Sequence, residues 1–119
     1  VNKIKKGWMN MIINFDEIEE TILPRFNGGE KEFKAKMLVD KNNKILYGKL
    51  EPGASIGMHT HDTSSEIIYF LQGTGKMLFD GGEEAVQAEL CHYCPKGYAH
   101  SLINNSEADL IFFAVVPQQ

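Results

Sequence analysis

Histidine is scarce in this chain, at four residues in 119, and two of the four, His59 and His61, flank a single threonine. Alternate residues on a β-strand share a face about 6.6 Å apart, so both imidazoles can converge on one ion. Glu66 follows the loop-like stretch Asp62-Thr63-Ser64-Ser65, which lets the next strand fold back beside the first and brings a carboxylate towards the same point. His100 opens a later strand just after Pro95-Lys96-Gly97 and can close the set from across a barrel. Three imidazole nitrogens and one carboxylate oxygen suit a divalent first-row transition metal, not calcium, which prefers an all-oxygen shell. Each part has an ordinary reading as well. A lone His-x-His on a surface strand usually binds nothing, His100 alone would pass for a satisfied core residue, and Glu66 alone for a solvated one.

The elements that must position these residues are mostly strands. Phe33, Ala35, Met37 and Val39 alternate with Lys34, Lys36 and Leu38, a period of two. Further strands are expected over Ile45–Leu50, Glu66–Leu71, Lys76–Phe79, Glu84–Tyr93, Tyr98–Asn104 and Asp109–Val116, separated by Gly- and Pro-bearing turns. Asp80-Gly81-Gly82 between apolar runs signals a hairpin. Strands at this spacing predict an all-β sandwich or barrel. One short helix is expected at the N-terminal side: Asp16 and Glu19 resemble a capping box, Ile18 and Ile22 share a face, and Pro24 stops it. Residues 1–10, with Lys3, Lys5 and Lys6, read as a flexible leader, and 11–119 as a single domain.

From Gly53 to Gly73 the chain reads G-x5-H-x-H-x4-E-x6-G, a pattern its own composition yields by chance on the order of once in ten thousand trials. Gly53, His59, His61, Glu66 and Gly73 resemble the first motif of the cupin superfamily residue for residue. Pro95, Gly97, His100 and Asn104 match the second, G-x5-P-x-G-x2-H-x3-N, with Glu89 standing where its leading glycine is expected. The resemblance covers residues ~35–116 and implies a double-stranded β-helix, the cupin jelly-roll barrel, as a single-domain monocupin of the "cupin 2", RmlC-like type. It also implies that His59, His61, Glu66 and His100 hold one divalent transition metal per chain inside that barrel: iron, manganese, nickel, copper or zinc. Gly53, Gly73 and Gly97 fit turns that need positive φ.

Alternation nominates the cavity wall. If Glu66 points inward so do Ile68 and Phe70, with Ile67, Tyr69 and Leu71 outward; if His100 points inward, so do Tyr98, Leu102 and Asn104. Tyr98 is the candidate catalytic residue, as a proton or hydrogen-bond donor to a bound substrate. Cys91 and Cys94 have C-x-x-C spacing, but three residues along a strand put them on opposite faces and no second ligand pair accompanies them. They read as free thiols of a cytoplasmic protein.

Composition excludes several classes. Sixteen acidic against twelve basic residues, net charge -4, leave no basic face for nucleic acid. The longest apolar run, Leu110–Val116, falls far short of the ~20 residues that span a bilayer. Arg25 is the single arginine, which disfavours a phosphosugar site. The resemblance then implies a metal-dependent enzyme on a small polar metabolite, of dioxygenase, isomerase or lyase type, or else a non-catalytic module binding a small molecule or a metal. Small cupins commonly pair, and the segment before Phe33 is a candidate for the contact in a homodimer.

Overall fold

The alternating runs become strands that each turn one face to a shared core. The computed structural model describes residues 2–3 and 11–119, and the expected leader over residues 1–10 otherwise lies outside the described residues. In chain order the strands are β1 (Asn2–Lys3), β2 (Thr21–Pro24), β3 (Glu32–Val39), β4 (Asn43–Leu50), β5 (Ser55–Thr60), β6 (Glu66–Gln72), β7 (Thr74–Phe79), β8 (Gly82–Gln87), β9 (Cys91–Cys94), β10 (Ala99–Ile103) and β11 (Leu110–Pro117). A seven-stranded sheet runs β1-β3-β4-β11-β6-β9, with β2 also on β3, and a four-stranded sheet runs β5-β10-β7-β8. All pairs are antiparallel except β1 with β3. This is the double-stranded β-helix that the motifs implied.

The two sheets bury one core between them. Phe33, Ala35 and Met37 of β3, Leu46 and Leu50 of β4, Ile68 and Phe70 of β6, and Phe112 and Ala114 of β11 face Ile56, Met77, Val86 and Leu102 of the smaller sheet. Ile67, Tyr69 and Leu71 stay exposed, as alternation requires. Phe33 and Phe112 stack at 5.9 Å with rings 10° apart. The backbone of Gly48 lies under this stack, where a Cβ would come within 2.7 Å of the Phe112 ring. Fully burying each such aromatic contributes roughly 1.5–3 kcal/mol.

Two local expectations need correction. The helix near Asp16 is one 3-10 turn, Phe15–Glu17, capped by the Asn14 side chain rather than by Asp16. Ile22 and Pro24 belong instead to β2, paired antiparallel with β3 of the same chain. So short a segment gains little from a helical nucleus, whereas the open edge of β3 offers it a full ladder, and a proline is tolerated on an edge strand.

The single strand expected over Glu84–Tyr93 is two strands, because the chain changes sheets between β8 and β9. Glu89 makes that crossing at φ 75, a glycine-like conformation held by a non-glycine residue. Its N–H donates to Phe70 O at 2.8 Å, and Phe70 N–H donates to Leu90 O at 3.0 Å. The position that lacks the motif glycine therefore keeps the glycine backbone. Left-handed backbone disfavours an L side chain by ~1–2 kcal/mol, partly offset by the greater unfolded freedom of glycine. Glu89→Gly is accordingly expected to stabilise the protein by roughly 0.5–1 kcal/mol, read as a higher urea midpoint at unchanged slope; a lower midpoint would refute this account of the turn.

Candidate metal centre

The four residues named from spacing meet in the gap between the sheets, though not by the route expected. β10 lies beside β5, so His100 faces His59 directly across an antiparallel ladder. Glu66 arrives from the opposite sheet at the first position of β6. The sequence reading had Glu66 beside the His-x-His strand and His100 across the barrel; the placements are reversed, because residues 61–65 cross between sheets rather than reversing within one. Ser65 N–H donates to Pro117 O at 3.2 Å and pins that crossing to the end of β11.

The three imidazole centroids lie 4.7–4.9 Å apart. His61 Nε2 and His100 Nε2 are 3.0 Å from each other. Glu66 Oε1 is 3.1 Å from the former and 2.9 Å from the latter. One donor atom from each of His59, His61, Glu66 and His100 falls within 4.8 Å of all the others.

Each ring's far nitrogen is held by a different partner. His59 Nδ1 meets Gly57 O at 2.7 Å, His61 Nδ1 meets Ser64 Oγ at 2.9 Å, and His100 Nδ1 meets His92 Nε2 at 3.0 Å. A carbonyl only accepts, so the His59 proton sits on Nδ1 and its Nε2 keeps a lone pair. Outer partners of this kind fix ring orientation and tautomer in metal sites. Burial, partly opposed by the Gly57 bond, pushes the His59 pKa down, which favours the neutral ring. Burial would raise the Glu66 carboxyl, but hydrogen bonds from His100 and His61 outweigh it and hold the pKa at about 2. His59 is thus in the neutral state a cation requires, and Glu66 is ionised, with the imidazole Nε2 atoms beside it in the place a bound cation would take.

The donor set fits a divalent transition metal on its geometry. Two ligand atoms each ~2.1 Å from one ion, meeting near a right angle, are ~3.0 Å apart, which is the spacing seen between the two Nε2 atoms and Glu66 Oε1. Nitrogen and carboxylate donors in that mix suit the first-row divalent metals.

The centre opens into a cavity of about 350 Å³ whose remaining wall is mainly apolar, with Ile68, Leu102 and Phe112 among its residues. Lys44 also lines it, a residue the spacing of motifs did not single out. Tyr98 does not: it is 55% exposed and lines a neighbouring cavity of about 480 Å³ with His92 and Cys94. It precedes β10 and closes the Pro95–Gly97 turn, its N–H donating to Pro95 O, so the strand alternation that would aim it inward does not reach it. Asn104 is fully buried as a fastener instead of a wall. Its Nδ2 donates to Leu50 O and Ala108 O, both at 2.8 Å, and its Oδ1 accepts from Ser106 N–H and Oγ–H.

His92 is the member that sequence reasoning missed. The C-x-x-C frame around it drew attention to Cys91 and Cys94, which are free, one exposed and one buried. Burial pushes the Cys94 thiol up to about 11, so it stays protonated and unreactive. His92 pairs with Ile68 in the ladder of β6 and β9, and that register brings it behind His100. Burial, reinforced by His100, lowers its pKa to about 4, keeping it neutral and able to accept the His100 Nδ1 proton. No pattern in the sequence links positions 92 and 100.

Comparison with known proteins agrees with the fold. The family described as the cupin domain matches residues 46–116. A Thermotoga maritima protein named oxalate-binding protein is 31% identical over 119 residues, covering 95% of this chain and 98% of its own. The crystal structure of a predicted oxalate decarboxylase from Thermotoga maritima superposes with a TM-score of 0.86 at 29% identity, over 92% of this chain and 100% of that one. The polyketide cyclase RemF from Streptomyces resistomycificus shares the fold, with a TM-score of 0.77 at 22% identity, over 92% and 80% of the two chains. Loss of an outer partner typically costs about 10–100-fold in metal affinity. His92→Leu is expected to weaken metal binding by that factor, while His92→Gln, which retains an acceptor, keeps most of it; competition with a chelator measures both, and equal affinity in the two variants would exclude the role.

Proposed function

Because the chain belongs to the cupin domain family, we propose that His59, His61, Glu66 and His100 hold one divalent transition metal per chain, and that the protein binds a small oxygen-donor metabolite beside it. The observation that carries this is the convergence of four donor atoms, three of them on imidazoles whose other nitrogen is already engaged. Iron, manganese, nickel, copper and zinc are all compatible with the donor set. The metal, when bound, supplies a Lewis acid that polarises a ligand oxygen. The chain's own part is to orient the imidazoles, keep Glu66 ionised and surround the site with apolar wall that limits water.

Metal-dependent enzymology of dioxygenase, isomerase or lyase type is the first reading. A second, non-catalytic reading has specific support. Apart from the four ligands, Lys44 is the one titratable residue lining the cavity among those described, Tyr98 lines the other cavity, and the Thermotoga maritima relative is named for binding. Elemental analysis separates metal from no metal. Wild type is expected to carry about one transition-metal ion per chain and His59→Ala/His61→Ala none, at unchanged circular dichroism; a metal-free wild type after reconstitution would overturn the assignment. Turnover then separates the readings: an enzyme loses product formation on His100→Ala, whereas a binding module shows affinity without product.

A homodimer is the assembly proposed. The outward face of β6 and β9 presents Ile67, Tyr69, Leu71 and Tyr93, each 40–58% exposed, and Ile67 stands opposite Tyr93 in the ladder. This face is proposed as the contact in place of the segment before Phe33, because Thr21–Pro24 of that segment already pairs with β3 of its own chain. The two free thiols support a reducing, cytoplasmic location. Sedimentation at micromolar concentration should give a dimer that Ile67→Asp/Tyr69→Asp converts to monomer; a wild-type monomer would remove the claim.

A further inference from the structure

The wall of the cavity that opens on the four-donor cluster is chemically lopsided. Phe26, Phe33, Leu46, Phe112 and Val116 line much of it, and all are apolar. Glu66 is the one acidic lining residue, and its Oε1 is engaged by His61 and His100. Apart from the three histidines of the cluster, Lys44 is the one basic lining residue. Lys34 and Lys76 make salt bridges with Glu51 and Glu83, but among the described residues Lys44 makes none.

Register places Lys44 relative to the cluster. Val115 stands opposite Ile67, so the next rung sets Val116 beside Glu66, and Val116 in turn faces Lys44 on β4. Lys44 shares strand parity with buried Leu46, so Glu66, Val116 and Lys44 lie in one row on the inner face of the sheet. Two strand spacings, ~9.6 Å, separate the outer members of that row. Lys44 and the cluster therefore stand at opposite ends of this row, with Val116 between them.

From this juxtaposition, and resting on the metal reading above, we infer that the ligand is an amphiphilic monocarboxylate. Its carboxylate and an adjacent oxygen lie between the cluster and Lys44, and its apolar body, of about aromatic-ring size, lies against Phe26, Phe33 and Phe112. A cavity of about 350 Å³ is already in the range that takes ligands far larger than a two-carbon acid. Oxalate would satisfy the polar end and leave the apolar wall against water. Each buried methylene improves affinity by about fourfold, so a ring-bearing acid should win by a wide margin.

The test uses zinc-loaded full-length protein and isothermal titration with oxalate, pyruvate and phenylpyruvate. Zinc content is measured first. A chain that retains no zinc overturns the metal reading and this inference together. With zinc bound, phenylpyruvate is expected to bind at least ~30-fold more tightly than pyruvate, and more tightly than oxalate. Lys44→Met, which keeps the aliphatic stem, should weaken phenylpyruvate by about tenfold and leave zinc content unchanged. Oxalate binding as tightly as phenylpyruvate, no binding of either, or an unaltered affinity in Lys44→Met would each overturn the inference while the metal reading stands.

Discussion

An ionised carboxylate withdrawn from water costs several kcal/mol unless donors or cations replace the water it loses. Glu66 is in that position, with a side chain only 12% exposed, and the groups that replace water are the imidazoles of His100, in the opposite sheet, and His61, just past the end of β5. The two sheets therefore cannot slide past one another at this end of the sandwich without stranding a charge. The rest of the centre depends on that constraint. β5 and β10 must pair so that His59 faces His100, and the crossing from His61 to Glu66 must be short and pinned.

Away from the centre the sandwich is held by different means. The aromatic stack of Phe33 and Phe112, over the bare backbone of Gly48, closes one region of the core with shape alone. Beyond β10 the chain turns around buried Asn104, whose amide is satisfied on both its donor and acceptor sides. Among the described residues no buried side-chain nitrogen or oxygen lacks a partner. A satisfied polar knot at one end of β10 and a four-donor cluster at the other leave that strand little freedom, which is what a preorganised site requires.

Much of this was legible in the residues. Period-two alternation in β3 and β6 foretold which side chains are buried, since a pleated strand sends successive side chains to opposite faces. Asp80-Gly81 made the hairpin between β7 and β8, with Gly81 at φ 90, as a tight two-residue turn demands. Where the reading slipped, a long-range alternative had prevailed over a local one. Ile22 and Pro24 joined a sheet edge instead of a helix. Glu89 accepted a glycine conformation because the chain had to cross between sheets there, with Phe70 bonding the turn on both sides.

By itself the sequence nominated the four candidate donors and the inward faces of β3 and β6, because ligand chemistry and strand parity are properties of residue type and spacing. It also determined the all-β architecture and the free, opposed cysteines. Tertiary structure decided which sheet each donor came from, that His92 stands behind His100, that Tyr98 faces another cavity, and that Lys44 shares a row with Glu66. Those are matters of register between strands distant in the chain. Register is set by the packing of a whole face against the opposing sheet, and no short window of sequence contains that interaction.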